Sequence, residues 1–134
     1  MFSIRSTTSN RELAFSDNNG YSFVIELKGF NISASAEVLA LDAIGLEQFF
    51  DTLGKVERPW LGELAWASME EDFTLSVSCT PLGNVVFRIE INQLPGAAEE
   101  WRVNVGIATE LGQLAEIGKS AIKFLTEDSH WTTD

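Results

Sequence analysis

The chain has little of the side-chain chemistry that most enzymes use. Its 134 residues include one cysteine, Cys79, and one histidine, His130, and no phosphate-binding loop of the Gly-x-Gly-x-x-Gly or Gly-Lys-Ser/Thr kind. A lone cysteine excludes an intrachain disulfide, and one Cys with one His falls short of the ligand set of a structural zinc site. We therefore expect no catalytic residue, no metal site and no cofactor.

Basic residues are also scarce. The chain has 9 Lys and Arg residues against 20 Asp and Glu residues, which gives a formal net charge of -11 at pH 7. Nucleic-acid backbones and anionic membrane surfaces bind clustered Lys and Arg, so we expect neither as a partner. An acidic surface does attract a basic protein over a long range, and such a partner is compatible with the composition.

Long apolar runs are missing as well. No stretch approaches the about 18 apolar residues typical of a transmembrane helix. The first eight residues alternate between apolar and polar and lack the apolar run of a signal peptide. Together with the single cysteine, which favours a reducing compartment, this predicts a cytoplasmic protein.

What the chain does have is strand patterning. Residues 73–79 alternate strictly between an apolar or cysteine side chain and Ser or Thr, and 81–84 (Pro-Leu-Gly-Asn) supply turn chemistry before the apolar segment 85–91. This pattern predicts a hairpin, with 101–107 as a third neighbouring strand. Segments 21–30 and 32–40 predict two further strands.

Two segments change to the helical period. Leu46, Phe49, Phe50 and Leu53 share one helical face, with Asp42 as a candidate N-cap and Gly54 as a C-terminal stop. A second helix is predicted to begin at Thr109. Its apolar stripe includes the small residues Gly118 and Ala121, which would allow close packing, and consists of Leu111, Leu114, Ala115, Gly118, Ala121, Ile122 and Leu125.

The order of strands, helix, strands, helix is typical of an α+β domain. We expect a mainly antiparallel twisted sheet with two helices packed against it. The sequence shows no linker, internal repeat or low-complexity block, so residues 1–134 are predicted to form a single domain with 126–134 as a loose tail.

Carboxylates cluster at two places between predicted strands, and they are the candidate binding residues: Glu70, Glu71, Asp72, Glu99 and Glu100. Paired carboxylates support glycoside hydrolysis or cation binding only where they converge in a pocket. Loop acids that hydrate strand ends are the commoner arrangement, so we expect these side chains on the surface.

Tryptophan is the other informative residue type. If 60–68 form one strand, Trp60 and Trp66 share a face with Gly62 and Leu64. Such a row is more often core than surface. If the face is open instead, Trp60 and Trp66 would form an aromatic patch suited to a protein partner.

These patterns carry a resemblance that covers about residues 20 to 125. The chain resembles small bacterial domains of unknown function and, more distantly, the WapI-type immunity proteins that neutralise contact-delivered toxins. The segments that carry it are Trp60–Ser68, the strands 73–79 and 85–91 with Gly83 between them, Trp101, and Thr109–Leu114. The resemblance implies a cytoplasmic bacterial α+β protein without catalytic residues, and it transfers no functional site.

The leading functional prediction is a non-enzymatic domain that binds another protein through its acidic surface, in the manner of an immunity protein with a basic toxin as partner. Two alternatives stay open: a small-molecule binding module or hydrolase with a pocket at the helical end of the sheet, and a structural or assembly subunit. The oligomeric state and the strand order are left open by the sequence.

Overall fold

The computed structural model describes residues 1–39 and 43–126, and its fold is α+β, as predicted. Eight strands form two antiparallel four-stranded sheets, and two helices pack against them. The strands are β1 Phe2–Arg5, β2 Glu12–Ser16, β3 Ser22–Gly29, β4 Ile32–Leu39, β5 Leu64–Ala67, β6 Phe73–Cys79, β7 Asn84–Gln93 and β8 Trp101–Glu110. The helices are α1 Ala43–Gly54 and α2 Leu114–Thr126, the latter preceded by a 3-10 turn over Leu111–Gln113.

Both sheets are meanders, with their strands in chain order. The predicted hairpin between β6 and β7 is confirmed, with Cys79 opposite Val85 and Gly83 at φ +88 in the turn. The third predicted neighbour, β8, joins with Trp101 opposite Gln93. Alternation places odd-numbered side chains such as Phe73, Leu75 and Val77 in the core, as the period of two requires.

The strands are divided between two sheets rather than joined in one, and four strands followed by a helix occur twice along the chain. The sequence carries no matching repeat, because the alternation of apolar and polar residues specifies a strand but not the sheet that it joins. The predicted order of strands, helix, strands, helix is thus confirmed, whereas the division of the strands into two sheets was not predicted.

One hydrophobic core lies between the two sheets and the helices. The ring of Phe15 in the first sheet lies 5.9 Å from that of Phe73 in the second. Phe50 of α1 and Phe124 of α2 meet the same Phe15 ring edge-on, at 6.4 and 6.0 Å. Both sheets and both helices thus meet in one cluster of aromatic side chains.

The sheets also meet at the surface, beside the free edge of β8. The loop 6–11 between β1 and β2 lies along this edge, where the Thr7 backbone N–H donates to the Ala108 carbonyl at 2.9 Å. The Arg11 guanidinium donates to the neighbouring Gly106 carbonyl at 3.0 Å. These bonds cover part of an edge that would otherwise present unpaired backbone groups.

The first predicted helix is confirmed. Leu46, Phe49, Phe50 and Leu53 are all buried, and α1 ends at Gly54 as expected. The proposed N-cap, Asp42, lies outside the described residues.

The second helix starts later than predicted. Thr109 and Glu110 belong to β8, opposite Val85 and Asn84, and the Leu111 N–H donates to the Gly83 carbonyl at 2.9 Å. Strand pairing therefore extends β8 through the position expected for the cap, and the Thr109 hydroxyl is buried with no hydrogen-bond partner among the described residues. A long-range ladder has overridden a local helix signal.

The remaining boundaries differ in smaller ways. The strand predicted over 60–68 covers only Leu64–Ala67, and Gly62 sits in the preceding loop at φ +79. Thr126, expected in the loose tail, closes α2, with its hydroxyl donating to the Ile122 carbonyl at 2.8 Å. Residues 127–134, including His130, lie outside the described part of the chain.

The two helices touch backbone to backbone at a pair of glycines, Gly54 and Gly118. A Cβ added at Gly118 would lie 2.7 Å from the Phe50 carbonyl oxygen and 2.8 Å from the Gly54 Cα. Neither atom can move without shifting α1. The close approach expected from the small residues of α2 is thus confirmed.

Substitution of Gly118 tests this contact. Gly118→Ala should lower the free energy of unfolding by about 1–3 kcal/mol, because overpacking outweighs the better helix propensity of alanine. Urea unfolding measures the change. Gly112→Ala is the matched control, since its Cβ would meet nothing within 4 Å. Equal stability of the two variants would contradict the close helix contact.

Candidate functional site

The two predicted acidic segments meet at one end of the second sheet. The turn between β5 and β6 carries Glu70, Glu71 and Asp72, and the loop between β7 and β8 carries Glu99 and Glu100. Asn92, near the end of β7, lies at their junction: its N–H donates to the Asp72 carbonyl at 2.9 Å, and its side-chain amide donates to the Glu71 carbonyl at 3.4 Å. We name residues 69–72 and 94–101 together the acidic end.

Ser68 organises the first of these segments. Its buried hydroxyl donates to the Asp72 carboxylate at 2.5 Å and accepts the Phe73 N–H at 3.1 Å. The Glu71 N–H donates to the Ser68 carbonyl at 2.8 Å, which closes the turn. Asp72 is therefore held in the turn, whereas Glu70 and Glu71 project from it as exposed side chains.

The second segment is organised by its own backbone. The Ala97 N–H donates to the Leu94 carbonyl at 3.0 Å, and the Gly96 N–H donates to the Glu100 carboxylate at 3.3 Å. Arg102, just outside the acidic end, pairs with Glu100 at 3.4 Å. Glu99 is exposed. The acidic end thus holds five carboxylates and no Lys or Arg of its own.

Large apolar side chains lie among these acids. Met69 is 67% exposed, Leu94 is 54% exposed and Trp101 is 36% exposed. Apolar anchors within a polar rim are the usual composition of a protein interface, in which aromatic residues and Met are enriched. Trp101, rather than the two predicted tryptophans, is the aromatic residue of the acidic end.

The backbone of the acidic end is strained at two positions. Glu71 and Leu94 have φ values of +58 and +57, in the left-handed region that side chains other than Gly, Asn and Asp rarely adopt. The cost for such residues is about 1–2 kcal/mol each. Folding alone does not favour a bulky, exposed Leu at a left-handed position.

Trp60 and Trp66 lie elsewhere, half-buried against the core. The Trp66 ring meets Phe73 edge-on at 5.7 Å, and its other side borders a cavity of about 240 Å³ between β5 and α1. Trp60 packs on the core with its indole N–H buried and without an acceptor among the described residues. The structure therefore brings the five acids together but places neither tryptophan with them.

The acidic end is a surface rather than a cleft. A depression beside Met69 and Glu70 has no volume that a water molecule could fill. Within the described residues, no group of three or more His, Cys, Asp or Glu side chains is placed to hold a metal ion. In the same part of the chain, neither helix is long and apolar enough to cross a membrane. This geometry suits contact with another surface.

The structure also shows a feature that sequence reasoning missed: a groove of about 520 Å³ where loop 6–11 meets the outer face of the second sheet. Arg11 and Arg88 both line it. They are 77 positions apart in a chain that is acidic overall, so no local signal connects them. In the sequence, only the alternation that places Arg88 on the outward face of its strand pointed to a basic site.

The Ser68 hydroxyl provides a test of how the first acidic segment is held. Ser68→Ala should lower the free energy of unfolding by about 1–3 kcal/mol, because it leaves the buried Phe73 N–H and the Asp72 carboxylate without a partner. Thermal or urea unfolding measures the loss. Ser78→Ala, at an exposed position of β6, is the control and should be neutral. A neutral Ser68→Ala would show that the turn does not depend on this hydroxyl.

Comparison with known protein families gives one match that covers most of the chain. No curated protein matches the chain. The model of DUF6228, described as a family of unknown function, matches residues 5–128, which include β2 to β8, both helices, the acidic end and the groove. The chain therefore belongs to the DUF6228 family of unknown function.

Proposed function

We propose that this protein is a non-enzymatic domain that binds a basic protein through the acidic end. The observation that carries the proposal is the placement of five carboxylates and the exposed Met69, Leu94 and Trp101 at one end of the second sheet. Carboxylates steer a basic partner toward this surface and select its orientation, while the apolar side chains supply buried contact area.

Two further features of the acidic end favour protein binding over substrate binding or a purely structural role. The depression beside Met69 and Glu70 at the acidic end has no volume that would hold a substrate. Glu71 and Leu94 are exposed side chains at left-handed backbone positions, which Gly or Asn would occupy with less strain. Strain of this kind is concentrated at functional sites in proteins.

We further propose that the partner is a toxin of the kind that immunity proteins neutralise. This finer proposal rests on the resemblance to WapI-type immunity proteins and on charge. A nuclease presents Lys and Arg where it meets phosphate, and the acidic end could occupy that surface by presenting carboxylates in place of phosphates. A toxin of this class would be inactive when bound.

Neutralising two acids tests the role of charge. Glu70→Gln with Glu99→Gln should weaken the affinity for the partner about tenfold at low salt, because both side chains are exposed carboxylates of the acidic end. The partner is first captured from a lysate of the source cells on the immobilised protein, and its affinity for each variant is then measured. Raising the salt from about 50 mM to about 500 mM should also release it.

The matched control removes the same charge from the opposite end of the sheet. Glu63→Gln with Glu110→Gln neutralises two exposed acids, one just before β5 and one at the end of β8 opposite Asn84. This variant should retain full affinity. Equal weakening by both double variants, or the absence of any salt-dependent captured protein, would overturn the proposal.

Substitution of Leu94 tests whether this side chain serves binding or folding. Leu94→Asn should leave the melting temperature unchanged or raise it, because Asn tolerates a left-handed φ better than Leu does. The same change should weaken partner binding about tenfold or more, because it removes an apolar anchor. Calorimetry and binding measurements on one preparation test both effects. A large loss of stability with unchanged affinity would assign Leu94 to the fold.

A further inference from the structure

The groove at the junction of the two sheets has walls from four parts of the chain. One wall is loop 6–11, the rim carries Phe30 from the turn between β3 and β4, and the floor is formed by Val86 and Arg88 of β7 with Gly106 and Ala108 of β8. Its volume of about 520 Å³ lies within the range of about 300–1,000 Å³ that is usual for small-molecule sites.

The groove is basic in a protein with a net charge of -11. Arg11 and Arg88 line it, and none of its lining residues is an acid. Among the described residues, Arg5, Lys28, Lys55 and Arg102 each have a carboxylate at 3.1 to 3.8 Å, whereas neither groove arginine has one within 4 Å; Arg58, Lys119 and Lys123 also lack one, but they lie outside the groove. The two nearest acids along the chain are engaged elsewhere, Glu12 with Arg5 and Glu90 with Thr74.

Both guanidinium groups converge on Gly106. Arg11 donates to the Gly106 carbonyl at 3.0 Å, and the Arg88 Nη1 lies 3.5 Å from the position that a Cβ of Gly106 would occupy. The absence of a side chain at Gly106 leaves the Arg88 guanidinium lying over the strand backbone. Two like charges that share one glycine repel each other, and a bound anion would relieve that repulsion.

In loop 6–11 the Thr7 hydroxyl donates to the Ala108 carbonyl, and the Ser6 and Thr8 hydroxyls bond to each other. The donors left for a ligand are the Ser9 hydroxyl, one hydroxyl of the Ser6–Thr8 pair and the Asn10 side-chain amide. The Ser6 hydroxyl oxygen accepts the Thr8 and Ser9 N–H groups, and the Ser9 hydroxyl oxygen accepts the Arg11 N–H. The side-chain oxygen Oδ1 of Asn10 accepts the Phe30 N–H at 3.0 Å, which leaves the side-chain NH₂ group without a partner among the described residues. A groove with an excess of donors and positive charge is complementary to an oxyanion.

We propose that this groove binds a small organic phosphate, with its phosphate group on Arg11, Arg88 and the donors of loop 6–11. Arg88 reaches the groove from β7 and the other donors come from loop 6–11, so an anion whose oxygens point in several directions can accept from both sides, as a tetrahedral phosphate does. The Phe30 ring, 78% exposed at the rim, offers a face to a planar part of the ligand.

The acidic charge of the whole chain favours a small ligand with one phosphate group over a polymer of phosphates. A polynucleotide would bring further phosphates against a surface that carries an excess of carboxylates, which is unfavourable. A small molecule with one phosphate group meets only the basic groove. This site is separate from the acidic end, because Arg88 lies opposite Ser76 and Gly106, away from the loops that carry the five acids.

Titration with phenyl phosphate, followed by ¹H–¹⁵N NMR, tests the proposal. Phenyl phosphate should bind with a dissociation constant of about 1 mM or tighter and shift the amide signals of loop 6–11, Phe30, Arg88 and Gly106. Arg88→Gln should weaken this binding at least tenfold. Arg58→Gln is the matched control, because Arg58 is exposed, lies outside the groove and has no ion pair among the described residues. That variant should bind as the unmodified protein does.

Three other probes define the ligand class. Inorganic phosphate should shift the same signals more weakly, and Phe30→Ala should reduce the affinity for phenyl phosphate without changing that for inorganic phosphate. Benzoate and a short single-stranded oligonucleotide should both bind more weakly than phenyl phosphate. Tighter binding of either one, no saturable shift with phenyl phosphate, or equal weakening by Arg58→Gln and Arg88→Gln would overturn the proposal. Glu70→Gln with Glu99→Gln should leave phosphate binding unchanged.

Discussion

The packing of Phe15 is the constraint on which the rest of the structure depends. Its ring is 1% exposed and lies within 6.4 Å of five other rings, which come from β1, β3, β6, α1 and α2: Phe2, Phe23, Phe73, Phe50 and Phe124. A small domain gains most of its stability from burial of apolar area, and aromatic rings bury more than other side chains. Since one ring touches both sheets and both helices, the two halves of the chain cannot separate without exposing this cluster. The close contact of Gly54 with Gly118 then sets how the helices cover the core.

Both candidate surfaces follow from this packing. Burial of Ile4 and Leu13 fixes the β1–β2 hairpin, so that its loop lies along the edge of β8 and closes one side of the groove. The turn and loop at the acidic end make no such contact with the first sheet in the hydrogen bonds of the described chain, and their acids stay on the surface. The molecule therefore presents two surfaces of opposite charge, and a phosphate ligand and a basic protein partner would bind apart from each other.

Much of the candidate site could be predicted from the sequence, and the part that could not depends on distant residues. The five acids were recognisable as loop residues, because strand alternation on either side located the turns. Their common position follows from the pairing of β7 with both β6 and β8, and Asn92 adds two bonds to the turn before β6. Trp60 and Trp66 were ambiguous, because a row of alternating aromatic residues is compatible with either face of a sheet; the structure places both against the core. Arg11 and Arg88 meet only through the pairing of β7 with β8 and the docking of loop 6–11.

The sequence by itself determined the α+β class, the β6–β7 hairpin, the buried face of α1 and the acidic charge, because periodicity, turn residues and composition are local properties. The tertiary structure alone decided the division into two sheets, the late start of α2 at Leu114, the position of Leu94 among the acids and the basic groove. Each of these depends on hydrogen bonds or packing between residues far apart along the chain. The alternation of residues in a strand predicts which face is buried. Which sheet or helix covers that face depends on how the whole core packs.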